Sequence, residues 1–209
     1  MRTIFLLITF NLLLTKVEGQ KVIEIPEIKN INTIDKYPEH SILASYTNNF
    51  DILISLNCYS AWGPDYAIKV FAHHKSGWYK IEINTDEKTF DPYTVCLSTY
   101  KINDSIGDIL WDSLNQNHIF DMNDGRVISL ICAEKMDTIL TEEGKVLEVL
   151  EPFDLCCDML EYEFEMITKN KYKKLYFYSP QEFLNRCKTS PEPKWFVNCI
   201  NVFEKYLGK

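Results

Sequence analysis

Residues 160–179 read LEYEFEMITKNKYKKLYFYS. Leu160, Tyr162, Phe164 and Met166 alternate with Glu161, Glu163 and Glu165. Alternation of this quality marks a strand, because successive side chains leave opposite faces of a pleated backbone. Lys169-Asn170-Lys171 is a turn, and YKKLYFYS is the return strand. The stretch is therefore a β-hairpin. Lysines on the return strand can neutralise the glutamate row across the pair. The row reads as a solvated sheet face; the alternative is a patch for a basic partner.

Working outward, residues 50–100 carry four more strand signals. In FDILISLNCYS, Phe50, Ile52, Ile54, Leu56 and Cys58 share one face, while Asp51, Ser55 and Asn57 share the other, as in a half-buried strand. YAIKVFAH, WYKIEIN and PYTVCLSTY follow, separated by turn chemistry at Trp62-Gly63-Pro64-Asp65 and around Gly77. The stretch predicts an antiparallel meander. NDSIGDILWDSLNQ is helical, capped by Asn103, Asp104 or Ser105, with Ile106, Ile109, Leu110 and Leu114 on one face. Asp121–Gly125 is a turn, RVISLICA a strand, and KVLEVL a further strand.

Ser179-Pro180-Gln181-Glu182 opens a helix, with Ser179 as N-cap and Glu182 completing a capping box. Ser190-Pro191 opens the last helix, with Phe196, Cys199, Ile200, Phe203 and Leu207 at helical spacing. Strands outnumber helices and are hairpin-linked. The expected class is α+β, a mainly antiparallel sheet with about three helices packed on it.

The start of the chain has a different character. Arg2 precedes an apolar run from Ile4 to Leu14, and the small residues needed for cleavage fit Val17 and Gly19. This is the order of a signal peptide over residues 1–19, cleaved after Gly19, and its apolar run is shorter than the ~20 residues of a spanning helix. Secretion or a periplasmic location follows, with no membrane insertion after signal removal. Residues 20–209 then form one domain, in which 20–49 (KVIEIPEI and a polar stretch) is an N-terminal extension over the domain.

The full chain carries a net charge of −8. Losing Arg2 and Lys16 against Glu18 makes the mature protein one unit more negative. Acidic balance argues against nucleic-acid binding and against docking on anionic lipid. Twelve Tyr and twelve Phe supply material for a core.

Seven cysteines make the count odd, so at least one is free or pairs between molecules. Cys156 and Cys157 are adjacent, which suits neither a zinc site nor a C-x-x-C redox motif. They are read as disulfide candidates together with Cys187 and Cys199, as a Cys187–Cys199 clamp or a tie from Cys156 or Cys157 to that corner. Cys58 and Cys132 read as buried thiols. His73-His74 falls at a hairpin tip, with exposed turn histidines the simpler expectation. No P-loop, G-x-S-x-G elbow, G-x-G-x-x-G or H-E-x-x-H occurs, and no cofactor or metal site is expected. Asp121-Met-Asn-Asp-Gly fails as a calcium loop, because its glycine comes a residue early.

The aromatic group Trp62, Tyr66, Trp78 and Tyr79 crowds a turn and a hairpin and is the candidate binding surface. Trp78 is taken as the exposed member because Lys80 and Glu82 share its face. The functional expectation is an exported binding protein, its partner a protein. The alternatives are a small extracellular or envelope hydrolase and a thiol-based redox or stress factor.

Overall fold

A computed structural model describes residues 23–28, 43, 49–59, 68–85, 95–125, 127–128, 136–140, 146–150, 160–188 and 190–208, with the backbone alone at 84–85, 95–97, 136–140, 146–150 and 186. Its strands are β1 (Ile52–Tyr59), β2 (Ile68–His74), β3 (Gly77–Thr85), β4 (Val95–Lys101), β5 (Met136–Leu140), β6 (Val146–Leu150), β7 (Glu161–Thr168) and β8 (Tyr172–Tyr178). Its helices are α1 (Asp104–Gln116), α2 (Pro180–Arg186) and α3 (Glu192–Leu207). The fold is α+β. Six antiparallel strands form one sheet in the order β4-β3-β2-β1-β7-β8, and β5 and β6 form a separate antiparallel pair. The meander and the hairpin predicted from the sequence are both present, and they meet along β1.

That central position corrects the half-buried reading of β1. Leu53 and Ser55 are as buried as Ile52 and Ile54, and Asn57 is buried too. One face, beneath the helices, carries Ile52, Ile54, Leu56, Phe71, Trp78, Phe164, Met166, Leu175 and Phe177. The opposite face carries Leu53, Val70, Ala72, Ile81, Ile83, Ile167 and Tyr172, with Leu43 and Phe50 packed on it.

Asn103 caps α1 by accepting from the Ser105 backbone N–H at 2.9 Å. The buried stripe of α1 is Gly107, Leu110, Trp111 and Leu114, whereas Ile106 and Ile109 are exposed. The stripe is thus rotated from the predicted one: Trp111 fills the core and Gly107 gives up its side chain to let the Trp78 indole approach. In α3, Phe196, Cys199, Ile200, Phe203 and Leu207 are all buried, as the spacing predicts. Phe196 packs on Phe177 and Phe164 at centroid distances of 4.0 and 5.2 Å. Asn198 Nδ2 donates to Asn117 Oδ1 at 2.9 Å, joining α3 to the end of α1.

Two local expectations are corrected. Ser179 is left-handed (φ 45°) and makes no side-chain cap bond, so the capping box is absent and Pro180 alone marks the start of α2. Val127 and Ile128 are helical rather than extended, their turn held by Asp124 O accepting from both of their N–H groups. Residues 23–28, in the N-terminal extension, have no regular secondary structure, and Ile28 among them is buried in the core. The loop after α1 meets the β8 edge, where Asp124 Oδ2 accepts from the Tyr176 N–H at 2.9 Å. Occupying a donor of an edge strand in this way hinders further strand addition there.

Candidate functional site

Trp78 is fully buried, against the expectation of an exposed indole. Lys80 and Glu82 do share its face and pair with each other at 2.6 Å, both partly exposed. The helices cover only the start of β3, so one strand face changes from buried to solvated along its length. The indole stacks on Phe71 at 4.5 Å and donates Nε1–H to Asp108 Oδ1 at 2.8 Å. Tyr79 lies on the opposite face, half-buried, with its hydroxyl 2.6 Å from Ser76 Oγ. Trp62 and Tyr66 lie outside the described residues, so the aromatic group is not assembled by the residues that can be described.

His73 is also buried, at 1 % exposure, rather than a turn histidine in solvent. Its Nδ1 meets Asp51 Oδ2 at 3.2 Å, and the Asp51 N–H donates to His73 O at 2.8 Å. His73 pairs with Trp78 across the β2–β3 hairpin, which puts its ring on the indole's side of the sheet.

Cys199 is a free thiol and fully buried, so the Cys187–Cys199 clamp is not made. The amphipathic stripe of α3 turns Cys199 into the core among Phe196, Ile200 and Phe203, and burial pushes its thiol pKa up. Cys58 is free and half-buried, its pKa raised first by burial and then by the Glu204 charge. Raised thiol pKa values oppose a thiolate-based role at these two positions. Cys187 is not free. Cys132, Cys156 and Cys157 lie outside the described residues.

The glutamate row is a polar cluster rather than a solvated face. Opposite residues run in rows across β1, β7 and β8: Ser55–Glu165–Lys174, then Asn57–Glu163–Tyr176. Glu163 is 5 % exposed. It accepts from Asn57 Nδ2 at 3.2 Å and binds Lys174 Nζ at 2.6 Å. Glu165 accepts from the Tyr172 hydroxyl at 2.7 Å, and burial raises its carboxyl pKa. Burial and the Glu163 charge push Tyr59 up to about 12. Only one of the two lysines expected to balance the row does so. Lys173 points to the helix face, where its Nζ donates to Phe120 O at 2.8 Å, and burial lowers its pKa to about 8.

A cleft of about 570 Å³ opens where β1 starts and β7 ends. It is lined by segment 25–28, by Asp51 and by the β7–β8 turn, residues 168–171. The turn is fixed by the Thr168 N–H donating to Lys171 O at 2.9 Å and the Lys171 N–H donating to Thr168 Oγ1 at 3.1 Å. None of the cleft residues was singled out from the sequence. They come from three distant segments, and their one local signal was the Lys169-Asn170-Lys171 turn.

Among the described residues, no group of three or more His, Cys, Asp or Glu is arranged to hold a metal ion, and no helix is long and apolar enough to cross a membrane. No family model matches the chain, and no curated protein matches it.

Proposed function

We propose that this chain is an exported, non-catalytic binding protein that receives its ligand in the cleft between segment 25–28 and the β7–β8 turn. The cleft carries the proposal. Its volume of about 570 Å³ is in the range of small-molecule sites, and it joins an apolar wall to a few polar groups, as such sites do. The protein partner suggested by the aromatic group loses its main support with the burial of Trp78, so a small ligand is preferred.

Export is supported by the N-terminal pattern of Arg2, the apolar run and the Val17/Gly19 cleavage site. Cys187 is not free, which is compatible with a tie to Cys156 or Cys157 of the kind an oxidising compartment sustains. Secretion or a periplasmic location follows, with a mature chain starting at Gln20.

The test is a titration with 8-anilinonaphthalene-1-sulfonate, an apolar ring system bearing one charge. Saturable fluorescence enhancement is expected for the parent, with marked loss in Ile25→Asp, which places a charge on the apolar wall. Equal enhancement in parent and variant would remove the cleft as the site.

A second reading, a hydrolase, is favoured by one observation. Glu165 is held toward its protonated form while Glu163, two residues along the same face, is ion-paired with Lys174. Carboxyls in such different settings can divide acid and base roles. Glu165→Gln should then abolish turnover of chromogenic glycosides; a parent protein inactive on them argues against that chemistry.

A further inference from the structure

We infer that the cleft takes a small zwitterion with an apolar side group, a free apolar α-amino acid being the simplest member. This rests on the cleft being the binding site. Its lining carries two carboxylates, Glu27 and Asp51, and two ammonium groups, Lys169 and Lys171, over the apolar surface of Ile25 and Ile28. A ligand with a single charge meets as many like charges as opposite ones. A ligand with both charges close together on one carbon, and an apolar remainder, is complementary to all three parts of the lining.

The groups are also available. Among the described residues, Glu27, Lys169 and Lys171 make no ion pair or side-chain hydrogen bond. Their charges are not already spent within the fold. Asp51 is anchored instead of idle: His73 Nδ1 holds Oδ2 at 3.2 Å, while Asp51 keeps 30 % exposure. A carboxylate fixed by a buried neighbour and still open to solvent is pre-organised to accept an ammonium group, which lowers the ordering cost of binding. The two lysines are borne by a turn closed with three hydrogen bonds, two of them through Thr168 Oγ1. The ammonium of the ligand would face Asp51 and Glu27, its carboxylate Lys169 and Lys171, and its side group Ile25 and Ile28.

The test is calorimetric titration of the mature protein with L-phenylalanine, N-acetyl-L-phenylalanine and L-phenylalaninamide. The two derivatives remove one charge each. L-phenylalanine is expected to bind, with each derivative at least tenfold weaker. Asp51→Asn should weaken L-phenylalanine at least tenfold while leaving N-acetyl-L-phenylalanine nearly unchanged. Lys171→Met should weaken L-phenylalanine and spare the amide. Derivatives that bind as tightly as L-phenylalanine would overturn the zwitterion assignment while leaving the cleft as a binding site. No binding of any of the three, with the anilinonaphthalene probe insensitive to Ile25→Asp, would overturn both.

Discussion

The two faces of the central sheet are buried by different means. Beneath the helices, the row Lys80–Phe71–Ile54–Met166–Lys173 is apolar across its middle, and aromatic rings from α1 and α3 fill the gaps. On the opposite face, the row Ile81–Val70–Ser55–Glu165–Lys174 changes from apolar to charged as it crosses β1. Burial on the first face is stabilised by packing. On the second face it depends on polar groups satisfying one another, and among the described residues Ser55 Oγ and Asn57 Oδ1 find no hydrogen-bond partner. A dry face tolerates little change of volume, while a polar face tolerates little change of hydrogen bonding.

The largest expected effect breaks the helix face. Trp78→Ala should destabilise by ~3–5 kcal/mol, the usual range for emptying a buried tryptophan site. A denaturant midpoint unchanged from the parent would place the indole outside the core. Next, Gly107→Ala drives a methyl group into the Trp78 ring and should cost ~1–3 kcal/mol, although alanine is the better helix former. Stabilisation by this change would show that the helix and β3 are not in close contact.

On the polar face, Glu163→Ala leaves Asn57 Nδ2 and Lys174 Nζ without their acceptor and should cost ~1–3 kcal/mol. The comparison is sharpened by Glu163→Ala together with Lys174→Ala, which should cost less than the sum of the two single changes. Strict additivity in chemical denaturation would deny the pair.

The smallest effects are in pH, and the two faces should differ in sign. The Glu165 pKa is raised in the fold, so the protonated form is favoured there. Its stabilising contribution is complete below the ordinary value of 4.5 and is lost as pH rises through the raised value. Glu165→Gln should therefore gain on the parent as pH rises above about 4.5. Lys173 is lowered to about 8 from 10.5, so the unfolded chain holds its proton longer. Parent stability should rise relative to Lys173→Met between about 8 and 10.5. Thermal melts of the three proteins across pH decide both signs, and parallel profiles would contradict both burials.

The strands and the final helix were legible because their patterns are local. Alternation in Leu160–Met166 and the 3–4 spacing of Phe196, Cys199, Ile200, Phe203 and Leu207 each require only their own residues. The two-faced burial of β1 was not legible, because it depends on β7 joining the meander more than a hundred positions later. The same remoteness concealed Trp78. Its polar neighbours Lys80 and Glu82 were read correctly, but where helix cover ends along a strand is a tertiary fact. Lys173 could have been assigned from its own sequence, since period two separates it from Lys174 and places it with Leu175 and Phe177. The cleft left almost no trace, because its charges become neighbours only when segment 25–28, Asp51 and the β7–β8 turn meet at one end of the sheet.

The most direct test of the binding account is a map of amide chemical-shift changes in the mature protein during titration with L-phenylalanine. The account predicts saturable changes concentrated at residues 25–28, at Asp51 and His73, and at residues 168–171. Changes centred on the β1–β7–β8 polar face, or none at saturating ligand, would contradict it.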